Sequence, residues 1–323
     1  PKKESAGSAG IQLEISRLNI EDTEINYRDL QSGDSYQLTD FDMHSKEVNL
    51  EGESFPARLS FTVNVPDASM LFVLDAPLSG VMEHQQFRLS DALTTIAVSG
   101  AATGGETITT KVSTTADIDL KADQATLETL RIQLADLIIG GSLTATGLTS
   151  EPRIAASLQS EAFDPRSLMA SLGQAEPPLK NPDALRHARF GATVNATANN
   201  ARVDDLAVEL DQTKASGSAE VTMKNQAITA RLSVDKINVD HYQMAGSGDS
   251  GSSGGASTQS TPSSGQEPLL PLDTLRSLNL DTALNIGTLI ARGVALSKVD
   301  MKLTARSGLV NLSRLNAQLS QGR

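Results

Sequence analysis

The residue types that most often carry chemistry are present in this chain but are not assembled. His44, His84, His187 and His241 are scattered, and none sits in a metal-ligand spacing such as HxxxH, so they read as solvated or structural side chains. Glu21-Asp22 and Asp204-Asp205 are adjacent carboxylates, the raw material of general acid–base work. Neighbours on a strand point to opposite faces, so neither pair makes a dyad, and both read as turn residues. Cysteine is absent, which removes disulfides, thiolate nucleophiles and cysteine metal sites at once and is compatible with an oxidising compartment. No GxSxG, P-loop or GxGxxG occurs. Asn195-Ala-Thr197 and Asn311-Leu-Ser313 fit the glycosylation sequon, which arises often by chance. The chain reads as non-enzymatic, with no cofactor and no metal.

What is organised is the apolar pattern. The stretch 198–218, ANNARVDDLAVELDQTKASGS, repeats 122–142, ADQATLETLRIQLADLIIGGS, without a gap at an offset of 76 positions. Ala125 matches Ala201, Leu130 matches Leu206, Leu134 matches Leu210 and Gly141 matches Gly217, with Leu127/Val203 and Ile132/Val208 as conservative pairs. Each copy reads as a turn followed by a strand, because Leu206, Val208 and Leu210 alternate with Ala207, Glu209 and Asp211. IAASLQSEAFD from Ile154 then matches ITARLSVDKIN from Ile228 at an offset of 74. A weaker copy places Leu296, Val299, Met301 and Leu303 where Val203, Leu206, Val208 and Leu210 stand, and a fainter one involves Leu38, Phe41 and Met43. Self-similarity of this kind means one supersecondary unit added edge to edge.

Composition narrows the function classes. A net charge of −12 and a pI near 4.8 offer no general grip on nucleic acid and argue against docking on anionic headgroups. Aromatic residues are 3%, with no Trp, so Leu, Ile, Val and Ala carry the apolar surface, which suits an extended sheet with one wet face. No apolar run approaches the roughly 20 residues that cross a bilayer. The chain opens on PKKESAGSAG without an initiator Met and ends inside a patterned segment. It is therefore read as an internal piece of a longer protein, with any anchor or export signal outside it.

Residues 1–10 read as linker, 11–244 as a repeat β-sheet region, 245–268 as a disordered Gly/Ser-rich loop and 269–323 as the continuation of the sheet, truncated at its C-terminal end. Turn signals recur every eight to twelve residues or so, as between consecutive antiparallel strands. Among them are Gly33-Asp34, Pro66-Asp67, Ala76-Pro77 and the hairpin tip Gly104-Gly105. Helices are few: Asp164-Pro165 followed by RSLMASLG, Asn181-Pro182 followed by DALRHARF, and a third after Pro271. They are expected to cap or plug the sheet rather than to layer over it. A sheet with so little helix to cover its apolar side must bury that side by folding into a sandwich, a barrel or a groove. A closed sandwich core and a lipid-lined groove both fit.

The Asp-Pro helix, VELDQTKASGSAEV (208–221), ARLSVDKINVDHY (230–242), the Gly/Ser loop and LPLDTLRSLNLDTALNIGTLIARGVALSKVDMKLTARSGLVNLSRLNAQL (270–319) together resemble the AsmA family of Gram-negative bacteria. The opening, ISRLNIEDTEINYRDLQSGDSYQL, resembles that family's strand leading to a D-x-x-x-G hairpin, here Asp29 to Gly33. Similarity runs from Ile11 to Leu319, weakest over 81–115, and the family's Tyr-x-Gly after the last Gln-Leu is replaced by Ser320-Gln321-Gly322. The resemblance implies an elongated, twisted antiparallel sheet bent into an apolar trough, in a periplasmic protein anchored in the inner membrane. It is similar to bridge-like lipid transfer proteins that carry phospholipid between inner and outer membrane.

On that reading acyl chains lie against Leu130, Ile132, Leu134, Leu206, Val208, Leu210, Ile228, Leu232, Val299, Met301 and Leu303, with headgroups toward water. A second expectation is an assembly factor for outer-membrane proteins that pairs with strands at a sheet edge, and a third is a passive structural stalk.

Overall fold

Alternation of aliphatic with polar residues produces strands along nearly the whole chain. The computed structural model describes residues 15–28, 35–65, 67–245, 279–306 and 309–319. The linker at 1–10, the hairpin tip at 29–33, the Gly33-Asp34 turn, the Gly/Ser-rich stretch from 246 and the helix expected after Pro271 lie outside the described residues.

Sixteen strands follow one another: β1 (Ile15–Arg28), β2 (Ser35–Val48), β3 (Phe55–Val65), β4 (Ala68–Val81), β5 (Gln86–Ser99), β6 (Ile108–Asp119), β7 (Gln124–Leu134) and β8 (Leu137–Thr146). Then come β9 (Arg153–Ser160), β10 (Ala188–Thr197), β11 (Asn200–Leu210), β12 (Thr213–Thr222), β13 (Ala227–Asn238), β14 (Asn279–Ala291), β15 (Val294–Arg306) and β16 (Leu309–Leu319). They form one open sheet in sequence order. The chain divides into two compact units, Pro1–Ala135 with Gly141–Ser150, and Asp136–Gly140 with Glu151–Arg323.

The repeat read from the sequence is a repeat of structure. At the same offset of 76, the bounds of β7 fall on those of β11 and the bounds of β8 on those of β12. The second match diverges: β13 continues to Asn238, whereas β9 stops at Ser160 and its following residues leave the sheet.

The strands are bent at bulges. Asp22, Asp40, Asp91, Asp205 and Lys298 have φ of 51°, 52°, 47°, 51° and 51°, and a register shift falls at each. A bulge adds one residue to one strand and sharpens its bend. It also explains the three-residue step in the repeat, because Val203 and Leu206 pair with Ala219 and Gly217, which alternate along one face of β12. Glu21-Asp22 and Asp204-Asp205, which read as turn residues, lie inside β1 and β11 instead, because a left-handed Asp serves a bulge as well as a turn.

Other expectations are corrected as well. Ala76-Pro77 does not close a strand: β4 runs through it to Val81, and Pro77 sits at the register shift between Asp75 and Leu78, where a missing ladder donor is tolerated. DALRHARF is no helix. Asn181 caps a turn through Asp183 N–H at 3.0 Å, Leu185 turns left-handed, and β10 begins at Ala188. Not every pair is antiparallel either: β13 and β14 pair in parallel from Ala227↔Asn279 to Asn238↔Ile290. The Asp-Pro helix does form, as α1 (Pro165–Ser171), with Asp164 accepting the N–H groups of Arg166 and Ser167, and Gly104 and Gly105 both have positive φ between β5 and β6.

In the first unit the bend has a recognisable lining. Ser45, Ala57, Ala76, Ala92 and Ala116 share one face and are among the most buried residues, with Ala76 and Ala92 each 1% exposed. An alanine on a flat, uncovered sheet is not sealed from water by its strand neighbours alone. The burial of these small side chains marks this face as the inside of the bend.

Candidate functional site: an apolar sheet face

Cross-strand register sorts the side chains of each unit into rows, since directly opposed residues share a face. In the first unit Phe61, Phe72, Ile96, Thr110 and Leu134 form one row across β3 to β7, and Leu59, Leu74, Thr94, Val112 and Ile132 form the next. Leu130 lies two positions from Ile132, beside the bulge of β7. The rings of Phe41, Phe61 and Phe72 stack in sequence, with centroids 6.4 and 4.9 Å apart.

In the second unit one row is Phe190, Val208, Ala215, Val234, Ile286 and Val299. The next is Leu206, Gly217, Leu232, Leu284, Met301 and Leu315. Val203, Ala219, Ala230, Thr282, Leu303 and Leu312 follow, then Ala201, Val221, Ile228, Leu280, Ala305 and Val310. Leu210 pairs with Ala188 and Thr213 at one end of these rows.

The three first-unit positions singled out from the sequence, Leu130, Ile132 and Leu134, thus share one face, and the eight second-unit positions share another. Val299 and Leu303 are buried, and the other nine are half-buried. Sequence reasoning missed Phe61, Phe72, Ile96, Phe190, Leu284 and Ile286, which join these rows only once the register is known. Among the described residues α1 is the one α-helix, and it has seven residues, so no helical layer covers either face.

Gly217 is fixed by packing. A Cβ at this position would lie 2.1 Å from the Arg231 carbonyl oxygen, so β12 and β13 approach here as only glycine allows.

The opposite faces are polar. Arg88 pairs with Asp117 at 2.6 Å, Lys214 with Glu209 at 3.2 Å and Arg314 with Asp300 at 3.1 Å, all solvent-exposed pairs of small energetic weight. A cavity of about 440 Å³ opens on this side of the first unit between Ser79, Gln86, Arg88, Asp117 and Asp119. Its polar groups already satisfy one another, Arg88 with Asp117 and Gln86 donating to Asp119 at 2.9 Å. Among the described residues no group of three or more His, Asp or Glu is placed to hold a metal, and no helix is long and apolar enough to cross a membrane.

These features define an open β-sheet protein whose sheet is amphipathic across many strands. The chain belongs to the AsmA family, whose family model matches residues 1–323. No curated protein and no solved structure matches it significantly.

Proposed function

We propose that this chain binds phospholipid by its acyl chains along the apolar sheet face and passes it across the periplasm of a Gram-negative bacterium toward the outer membrane. The observation that carries this reading is the set of apolar rows that run from strand to strand with no helical layer over them among the described residues. Membership of the AsmA family supports an envelope setting and a role in lipid transport or outer-membrane biogenesis. The full-length protein is held in the inner membrane by a segment outside this chain.

Transfer on this reading is passive and uses no cofactor. At about 25 cal/mol per Å² of apolar area, two acyl chains gain affinity from many small contacts rather than from one strong one. Selectivity among lipids is correspondingly low.

Val208 lies inside its row, between Phe190 and Ala215. Val208→Asp places a charge where acyl chains lie, at a cost that desolvation makes large. Transfer of a fluorescent phospholipid between vesicles by the variant should fall to background, while circular dichroism retains the strand signal. Undiminished transfer by a folded variant rejects the face as the carrier.

The alternative is protein assembly at a sheet edge, and one observation favours it. Among the described residues β16 is the last strand of the order, and its Leu309, Leu315 and Leu319 are 76%, 59% and 77% exposed. Such an edge is a template for a further strand. Val208→Asp leaves that edge intact, so retention of outer-membrane-protein assembly with loss of lipid transfer separates the two roles.

A further inference from the structure

In the second unit the two ends of the strands are built differently. At the end where β9, β11 and β13 finish, chain outside the sheet packs against the end of the apolar rows at Phe190 and Ala188. Phe163 meets Phe190 edge-on with centroids 6.4 Å apart, and Ser160, Ala184 and Ala188 are 2%, 2% and 8% exposed. Residues 178–180 pair with 243–245 through Lys180 N–H to Gln243 O at 2.8 Å and Ala245 N–H to Pro178 O at 2.6 Å. Carboxylates tie this cap to the turns below it. Asp211 accepts Leu185 N–H at 2.8 Å and the Tyr242 hydroxyl at 2.9 Å, and Asp240 accepts the N–H groups of Arg292 and Gly293 at 2.6 and 2.8 Å.

The other end carries no such cap among the described residues. On β9 itself exposure rises from 2% at Ser160 to 39% at Ile154. Exposed Arg153 and Lys224 stand at this end, with Arg202 held by Asp204 at 2.9 Å and Arg306 by Asp281 at 3.9 Å. One end is therefore closed by chain packed on its apolar rows and the other is open, with charges of both signs at each.

We propose that a phospholipid on the second unit's face lies with its acyl ends toward the cap and its headgroup at the open strand ends. This rests on the lipid-binding reading above and adds to it a direction. A phosphate would lose its water under the cap, whereas at the open end it stays hydrated. Methyl ends of acyl chains have the opposite preference.

The chain has no tryptophan, so a single introduced one is an unambiguous reporter. Phe190→Trp reports on the capped end and Ile228→Trp on the open end, each in the whole chain with strand content checked by circular dichroism. If Phe190→Trp does not fold, Phe163→Trp replaces it. Each variant is loaded from vesicles and freed of them by gel filtration, once with phosphatidylcholine brominated near the acyl ends and once with phosphatidylcholine spin-labelled on the headgroup. The expected result is loss of fluorescence mainly in Phe190→Trp with the brominated lipid and mainly in Ile228→Trp with the spin-labelled one. The reverse pattern, or equal quenching of both reporters by both lipids, overturns the orientation while leaving lipid binding intact. No quenching of either reporter by either lipid overturns both.

Discussion

The Tyr242 hydroxyl donates to Oδ2 of Asp211 at 2.9 Å, and through this bond the residues that follow β13 are fastened to the turn between β11 and β12. Burial raises the phenol's pKa and the bond to the Asp211 carboxylate raises it further, to about 12. A raised folded pKa means that this contribution to stability is complete below the ordinary tyrosine range, near 10, and is lost as pH climbs toward 12. In an ultraviolet titration of the three tyrosines, Tyr242 should ionise above the normal range, and Tyr242→Phe should remove that late component. Coincident curves for variant and parent would contradict the bond.

Acid should loosen the same cap. Burial pushes the carboxyls of Asp164 and Asp211 up, but backbone N–H donors outweigh it at both, helped by Arg186 at Asp164 and by Tyr242 at Asp211, so both are held below the usual range. Their contribution is therefore present above the ordinary carboxylate pKa, about 4, and is lost as pH falls through the lower folded values. Hydrogen exchange at Leu185 and His187 should accelerate in that window, and Asp211→Asn should flatten the dependence. An unchanged acid profile in the variant would remove Asp211 from the cap.

Gly217→Ala tests the register of β12 on β13. A methyl 2.1 Å from a carbonyl oxygen cannot be accommodated without moving backbone, and overpacking of this kind costs about 1–3 kcal/mol or more. The melting temperature should drop clearly, whereas Ser216→Ala, on the opposite, exposed face of β12, should leave it nearly unchanged. Equal effects would mean that the two strands are not in this register.

At the bend of the first unit, Ala92→Leu adds three carbons where no space is left, since Ala92 is 1% exposed. The expected loss is again about 1–3 kcal/mol in a denaturant titration. A neutral or stabilising result would contradict the burial of this position.

Much of this fold is legible in the sequence because its signals are local. Period-two alternation marks the strands, and the gap-free match of 122–142 with 198–218 returns as matching strand bounds. The step of three between Val203 and Leu206, where a regular strand would step by two, is the mark a bulge leaves in the order of residues. What is not legible depends on partners far away in the chain. Asn181-Pro182 opens a turn as readily as a helix, and the choice is made by Asp211, 26 positions past Leu185, whose carboxylate takes the N–H groups of 185–187. Pro77 looks like a strand end until the bulge beside it is seen. Phe190 and Ile286 join the apolar row only through cross-strand register, and the parallel pairing of β13 with β14 has no local signature at all.

The central claim is that the apolar face holds lipid, and lipid mass spectrometry of this chain purified without detergent tests it most directly. An acidic soluble protein prepared alongside serves as the control, and Val208→Asp as the second. The account predicts stoichiometric phospholipid on the wild-type chain, absent from both controls. Phospholipid no higher than in the acidic control would contradict it and point to a face closed by protein.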